Sequence, residues 1–237
     1  FEEVKKYHID ILKKLIPRNH PSLKPIIHKI VQKNALFLSA FAVWFVLSCA
    51  FMYLFTDKAL FFAINQFHHP FFDHVMTVLS AYGRGDSITI VFVILLVFPI
   101  FRNKEYLFTT ILFGIILPVI SYISKDFFDK ARPIGMYNIE NVHAVPWLEN
   151  LYNDSFPSGH TMGAFGFFFL LNHFLPQKNK TYTLFFFLLA LGCGYSRIYL
   201  GQHFYSDVVA GSFIGVFVSF LILLMVKFFT QNKTTHV

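Results

Sequence analysis

Residues 155–160 read Ser-Phe-Pro-Ser-Gly-His and run straight into 161–175, TMGAFGFFFLLNHFL. The apolar run has the composition of a membrane helix, so Ser158-Gly159-His160 falls at its opening turn. A helix start presents unpaired backbone N–H groups and the positive end of the dipole, which suits an anion. Pro157 costs nothing in a first turn. Gly159 lets a ligand approach the backbone, and His160 can carry or release a proton near neutral pH. Alone, the stretch reads equally as a plain helix cap.

The rest of the chain decides between these readings. Of 237 residues, 55% are hydrophobic, 33 are Phe and only 14% are charged, and the apolar residues come in runs. A soluble domain carries more charge, so the composition indicates a membrane protein. The net charge of +7 gathers at the N-terminus and in short loops. That pattern reports membrane orientation, not nucleic-acid binding. Cys49 and Cys193 lie inside apolar runs and read as buried fillers.

Working outward gives an all-α, six-span transmembrane helix bundle. The spans fall at 35–55, 87–101, 106–124 (kinked at Pro118), 160–175, 181–195 and 208–229. Residues 1–34 form a basic segment whose first 16 residues are either an amphipathic helix on the membrane surface or a solvated tail. Residues 35–229 form the bundle, and 230–237 a polar tail. In 56–85 the pattern gives two short interfacial helices broken near Pro70, followed by a turn at Gly83-Arg84-Gly85 with Asp86 or Ser87 capping the next helix. His68, His69, Asp73 and His74 read there as interfacial residues rather than a metal cluster.

Lys and Arg in the N-tail, the 102–105 loop, the 176–180 loop and the C-terminus place both termini in the cytoplasm. The segments 56–85, 125–159 and 196–207 then share the outer face. Three clusters meet there: Lys125-x6-Arg132-Pro133, Pro157-Ser158-Gly159-His160, and Ser196-Arg197-x5-His203-x3-Asp207. Lys125 and Arg132 can share a helical face, although Pro133 biases Arg132 out of the helix. His203 and Asp207, four apart, can meet on the opening turn of the last helix. A carboxylate on one imidazole nitrogen fixes the tautomer and raises the basicity of the other. Ionisable groups at a membrane face are costly and usually functional.

Together the clusters resemble the three signature motifs of the type 2 phosphatidic acid phosphatase (PAP2) family, complete and in order across 125–207. The compact six-span plan resembles bacterial members, which implies a multi-pass inner-membrane protein with its site facing the exterior. The resemblance implies that Lys125, Arg132, Arg197 and the Ser158-Gly159 backbone hold phosphate. It implies His203 as nucleophile through a phosphohistidine, Asp207 as its orienter, and His160 as general acid and then base. No metal or other cofactor is called for. The partners implied are the bilayer and a membrane lipid phosphate, with no nucleic acid. Family substrates are phosphatidic acid, phosphatidylglycerol phosphate, polyprenyl (undecaprenyl) pyrophosphate and lipid A 1-phosphate. A lipid phosphotransferase would use the same histidines with an acceptor other than water. A transporter is disfavoured by the lack of matching broken helices in two halves.

Overall fold

The computed structural model describes residues 22–176 and 180–231. The described residues form ten α-helices and two short 3₁₀ turns, with no strand among them. In chain order the helices are α1 (Leu23–Lys33), α2 (Ala35–Leu54), α3 (Asp57–Asn65), α4 (Pro70–Ala81) and α5 (Gly85–Leu95). Then follow α6 (Lys104–Phe128), α7 (Pro133–Tyr137), α8 (Gly159–Phe174), α9 (Lys180–Tyr199) and α10 (Tyr205–Gln231). The segment at 1–16 lies outside the described residues.

Four helices (α2, α6, α9 and α10) are long and apolar enough to cross a membrane. A fifth span results if α4 and α5, bent by 60° at their junction, count as one. The break falls at Gly83-Arg84, where Arg84 occupies the N-cap position without a side-chain cap bond. Asp86 binds the N–H of Ser87 instead, at 2.8 Å. The two short helices expected around Pro70 are α3 and α4, with Pro70 in the first turn of α4, where a missing N–H is harmless.

α8 has 16 residues and is buried from Thr161 through Leu170, so the other helices wrap it. It packs chiefly on α9 and α10. The contact with α10 is backbone to backbone: at Gly211 and Gly215 an added Cβ would run into the carbonyls of Ser158 and Met162. Small residues at such crossings let helices approach where the hydrophobic effect does not drive them together. That approach brings the start of α8 against the start of α10. Phe37, Phe41, Phe165, Phe169 and Phe187 fill the core beside it, mostly edge to face.

α2 buries only Phe37, Phe41 and Ser48 and turns Val43, Val46 and Leu54 outward. Cys193 is buried as expected, but Cys49 is exposed on that outward face of α2. Pro118 stands inside α6, and the helix stops where Asp129 turns left-handed at φ 39°.

At the end of the bundle away from the three motifs, a buried polar cluster ties five helices. Asn34, between α1 and α2, donates to Ile30 O at 2.8 Å, meets His173 Nδ1 at 2.8 Å and accepts from Asn172 at 2.9 Å. Glu105 pairs with Lys227 at 2.7 Å and faces His173 at 3.4 Å.

Candidate active site

Each motif sits where one structural element stops. Lys125 is on the last turn of α6. Arg132 is extended rather than helical and caps α7 ahead of Pro133, so the two cations reach the site from a helix end and a loop, not from one helical face. The Arg132 N–H is fixed to Tyr152 O at 2.7 Å. Its guanidinium is buried and donates to Asn153 O at 2.8 Å and Gln202 O at 3.0 Å.

Ser158 is the N-cap of α8; its Oγ accepts from the hydroxyl of Thr161 at 2.9 Å. Pro157 lies one residue before that cap rather than within the first turn. The Ser158 N–H donates to the backbone carbonyl of Asp207 at 3.1 Å, so α8 and α10 open side by side. Arg197 is on the last turn of α9, and Asp207 on the first turn of α10. His203 lies in the connection between them, two residues short of the helix expected to carry it. The Arg197 carbonyl accepts from the N–H groups of Gln202 and His203 at 2.9 and 3.1 Å, which winds this connection tightly.

His203 and Asp207 are 1% and 0% exposed, so their geometry is set by the protein rather than by water. His203 Nε2 lies 3.4 Å from Arg132 Nη1. A guanidinium only donates, so Nε2 presents its lone pair and the proton sits on Nδ1. Nδ1 points to Asp207 Oδ2 at 3.5 Å, too long for a hydrogen bond. That oxygen accepts from Ser155 Oγ at 2.5 Å and from the Phe204 N–H at 2.9 Å. Burial pushes His203 down to about 3, with Arg132 and Arg197 adding to the shift and Asp207 opposing it. The imidazole is therefore neutral at physiological pH.

Arg197 is 5% exposed; it donates from Nη1 to Ser80 Oγ at 2.5 Å and from Nη2 to Gln202 Oε1 at 3.4 Å. Its buried Nε has no protein partner. An orphan charged donor in the interior is destabilising by roughly 1–3 kcal/mol or more, which an anionic oxygen would recover. His160 lies within electrostatic reach of Arg197, His203, Arg132 and Lys125, so the motif residues converge on one centre.

Three residues of this centre carry no mark in the sequence. Lys130 reaches Asp207 Oδ1 at 2.7 Å and Asp57 at 3.3 Å, and lies 4.6 Å over the Phe204 ring. Ser155 holds the other carboxylate oxygen. Gln202 lies within 3.4 Å of both arginines and donates to Glu149 O at 3.3 Å. A lysine beside Asp129 looks like any surface charge until the fold sets it against Asp207. By contrast, Asp73 pairs with His143 at 2.8 Å and with Tyr199 at 2.8 Å, while His68 stacks on His143. Among the described residues no group of three or more His, Cys, Asp or Glu is placed to hold a metal ion.

A cavity of about 1150 Å³ opens from His160, Arg197 and Gln202. It continues between α5 and α6 past Phe92, Gly114 and Pro118 as far as Leu96 and Leu107. Ser121 to Leu107 are 14 helical steps apart, about 21 Å at 1.5 Å per step, most of the ~30 Å hydrocarbon layer. A polar, cationic head thus meets a long apolar slot.

Helix ends that turn two buried arginines, a lysine and two histidines on one point, at the head of an apolar slot, define a membrane-embedded enzyme of phosphate chemistry. Residues 102–231 match the PAP2 superfamily, and the chain belongs to that family of phosphatases. It is 28% identical over 175 residues to phosphatidylglycerophosphatase B of Bacillus subtilis, covering 70% of this chain and 81% of that protein. To the lipid A 1-phosphatase of Rhizobium etli it is 31% identical over 116 residues, 49% of this chain and 47% of that protein, so it spans about half that relative's length. The crystal structure of Aquifex aeolicus LpxE superposes with a TM-score of 0.60 at 32% identity, covering 71% of this chain and 94% of that one. With its apolar helices, the chain is an integral membrane protein.

Proposed function

We propose that this protein releases phosphate from a membrane lipid phosphate, a monoester or a pyrophosphate, at the outer face of the membrane through a phosphohistidine on His203. The observation that carries the reading is the orientation of His203. Its lone pair on Nε2 faces the buried Arg132, and its N–H on Nδ1 faces Asp207. A nucleophile needs a lone pair already aimed at the place where phosphate oxygens will be held.

Lys125, Arg132 and Arg197 hold the phosphoryl oxygens, together with the Gly159 N–H where α8 opens; the Ser158 N–H is taken by the Asp207 carbonyl. His203 Nε2 attacks phosphorus as the bond to the leaving oxygen breaks. His160, which the bound phosphate dianion favours in its protonated form, gives its proton to that oxygen. The charge that builds on His203 is met by Asp207, which Lys130 and Ser155 hold in place. Neutral His160 then takes a proton from water, which attacks the phosphohistidine and frees inorganic phosphate. Three fixed cations supply the charge stabilisation for which other phosphoryl-transfer enzymes use Mg²⁺. The apolar slot between α5 and α6 takes a hydrocarbon chain from the leaflet, with the headgroup at His160 and Arg197. Phosphatidylglycerophosphate, phosphatidic acid, undecaprenyl pyrophosphate and lipid A 1-phosphate all fit that plan.

Free phosphate released from a panel of these purified lipids, without added acceptor, tests the activity. Turnover is expected to survive EDTA and to be inhibited by vanadate, which adopts the five-coordinate geometry at the three cations. Loss of turnover on chelation with recovery on Mg²⁺ would overturn the cation assignment.

The reading places six spans in the membrane, both termini in the cytoplasm and the site outside. It takes α5 and the turn after it, as far as Phe101, as one span, so that the Gly83-Arg84 bend lies at the outer face, and counts the short α8 as another. Single cysteines are introduced at Asn141 and within 176–180, in a background lacking Cys49 and Cys193. An impermeant thiol reagent on intact cells, or on spheroplasts, labels only the first if this orientation holds. Labelling of 176–180 alone contradicts it.

A further inference from the structure

We propose that Arg84 is a specificity-determining residue that reads a second phosphoryl group on the leaving-group side of the scissile bond; this rests on the phosphatase reading above. Two arginines line the cavity, Arg197 and Arg84, and only Arg197 belongs to a motif. Gly83 packs so closely on the backbone carbonyl of His160 that no Cβ fits between them. Arg84, the next residue, therefore follows a backbone fixed against α8, and it lines the same cavity as His160. α5 begins at Gly85, whose missing side chain leaves open space, so the positive end of that helix lies at the same mouth.

The Arg84 guanidinium is not committed to the fold. Its side chain is 57% exposed and its partner is Asp86, 58% exposed, with Nη2–Oδ2 at 2.6 Å and Nε–Oδ1 at 3.1 Å. An exposed pair between near neighbours contributes little to stability. A phosphate offers the same planar fork a doubly charged, bidentate partner. Asp86 thus parks the guanidinium in the geometry it would use on phosphate.

The chemistry read is a phosphoryl group retained by the leaving group. Two kinds of lipid carry one: a phosphomonoester whose alcohol bears a phosphodiester, and a pyrophosphate whose leaving group is itself a phosphate. Phosphatidic acid has neither and engages only the motif cations.

The test measures kcat/KM of the full chain in nanodiscs on phosphatidic acid, phosphatidylglycerophosphate and undecaprenyl pyrophosphate. Arg84→Ala is expected to lose about 10- to 100-fold on one or both substrates with a second phosphoryl group, the scale of a charge-assisted hydrogen bond. Phosphatidic acid should change by less than about 3-fold, and Arg84→Lys should recover part of the loss. Asp86→Asn, which frees Arg84, should raise kcat/KM on the same substrates relative to phosphatidic acid. A loss confined to phosphatidylglycerophosphate assigns the diester; one confined to the pyrophosphate assigns the directly bonded phosphate; either supports the inference. Equal losses on all three, no loss on any, or an unchanged substrate ratio in Asp86→Asn overturns it. Wild-type protein that cleaves phosphatidic acid alone overturns this inference and leaves the phosphatase reading standing. Wild-type protein inert toward all three removes both.

Discussion

His203→Ala should abolish turnover of every phosphate ester, with a loss beyond about 10⁴-fold in kcat, the scale on which covalent nucleophiles act. The loss should not depend on the leaving group, because a good leaving group cannot replace the attacking atom. The side chain is 1% exposed and its Nε2 meets Arg132. His203→Gln is the better control for shape, since it keeps a polar group near Arg132 but offers no nucleophile. Vanadate inhibition should weaken in both variants, because the five-coordinate adduct loses its apical ligand on His203, while inorganic phosphate should still bind at the cations that remain. Rescue of His203→Ala by an activated aryl phosphate would remove His203 from the nucleophile role.

His160→Ala should behave differently. A general acid matters in proportion to the basicity of the oxygen it protonates. A lipid alkoxide is very basic and needs the proton. A nitrophenolate, or a phosphate leaving from a pyrophosphate, needs it far less. The variant should lose about 10²- to 10⁴-fold on an alkyl monoester and distinctly less on a matched aryl phosphate. The comparison belongs to the phosphoryl-transfer step, read from burst kinetics, because His160 also activates water in the second half-reaction. Equal losses on both substrates would take the general-acid role from His160.

The contrast between what the sequence disclosed and what it hid has a physical basis. Lys125, Arg132, His160, Arg197, His203 and Asp207 could be found because ionisable residues beside apolar runs are costly and stand out. The long helices were equally visible, since α2, α6, α9 and α10 are near-continuous apolar runs. α8 shows why the span count is harder to read. Its residues are as apolar as those of its neighbours, yet it is 16 residues long and buried by protein, a distinction composition does not carry. The α4–α5 bend was half legible, through Gly83-Arg84-Gly85, but its close approach to His160 is a tertiary fact. Lys130, Ser155 and Gln202 lay hidden for the same reason. Each acts on a residue about 50 or more positions away or across a loop, through contacts of 2.5–3.4 Å that no spacing rule anticipates. The helical register also misled: His203 and Asp207 are four apart, but His203 precedes α10 and its Nδ1 stands 3.5 Å from the carboxylate. Substrate would have to draw the imidazole closer by about 0.5 Å to close that hydrogen bond, a tightening common between free enzymes and their complexes.

The account turns on a covalent bond between phosphorus and His203, and trapping that bond tests it most directly. Enzyme mixed with labelled lipid phosphate, quenched in alkali during the burst and digested, is mapped by mass spectrometry. The predicted result is a base-stable, acid-labile phosphoryl group on His203, formed in wild type and absent from His203→Ala. A phosphoryl group on His160 or Ser158, or phosphate release with no phosphoenzyme and a single inversion at a chiral phosphorus, would contradict the account.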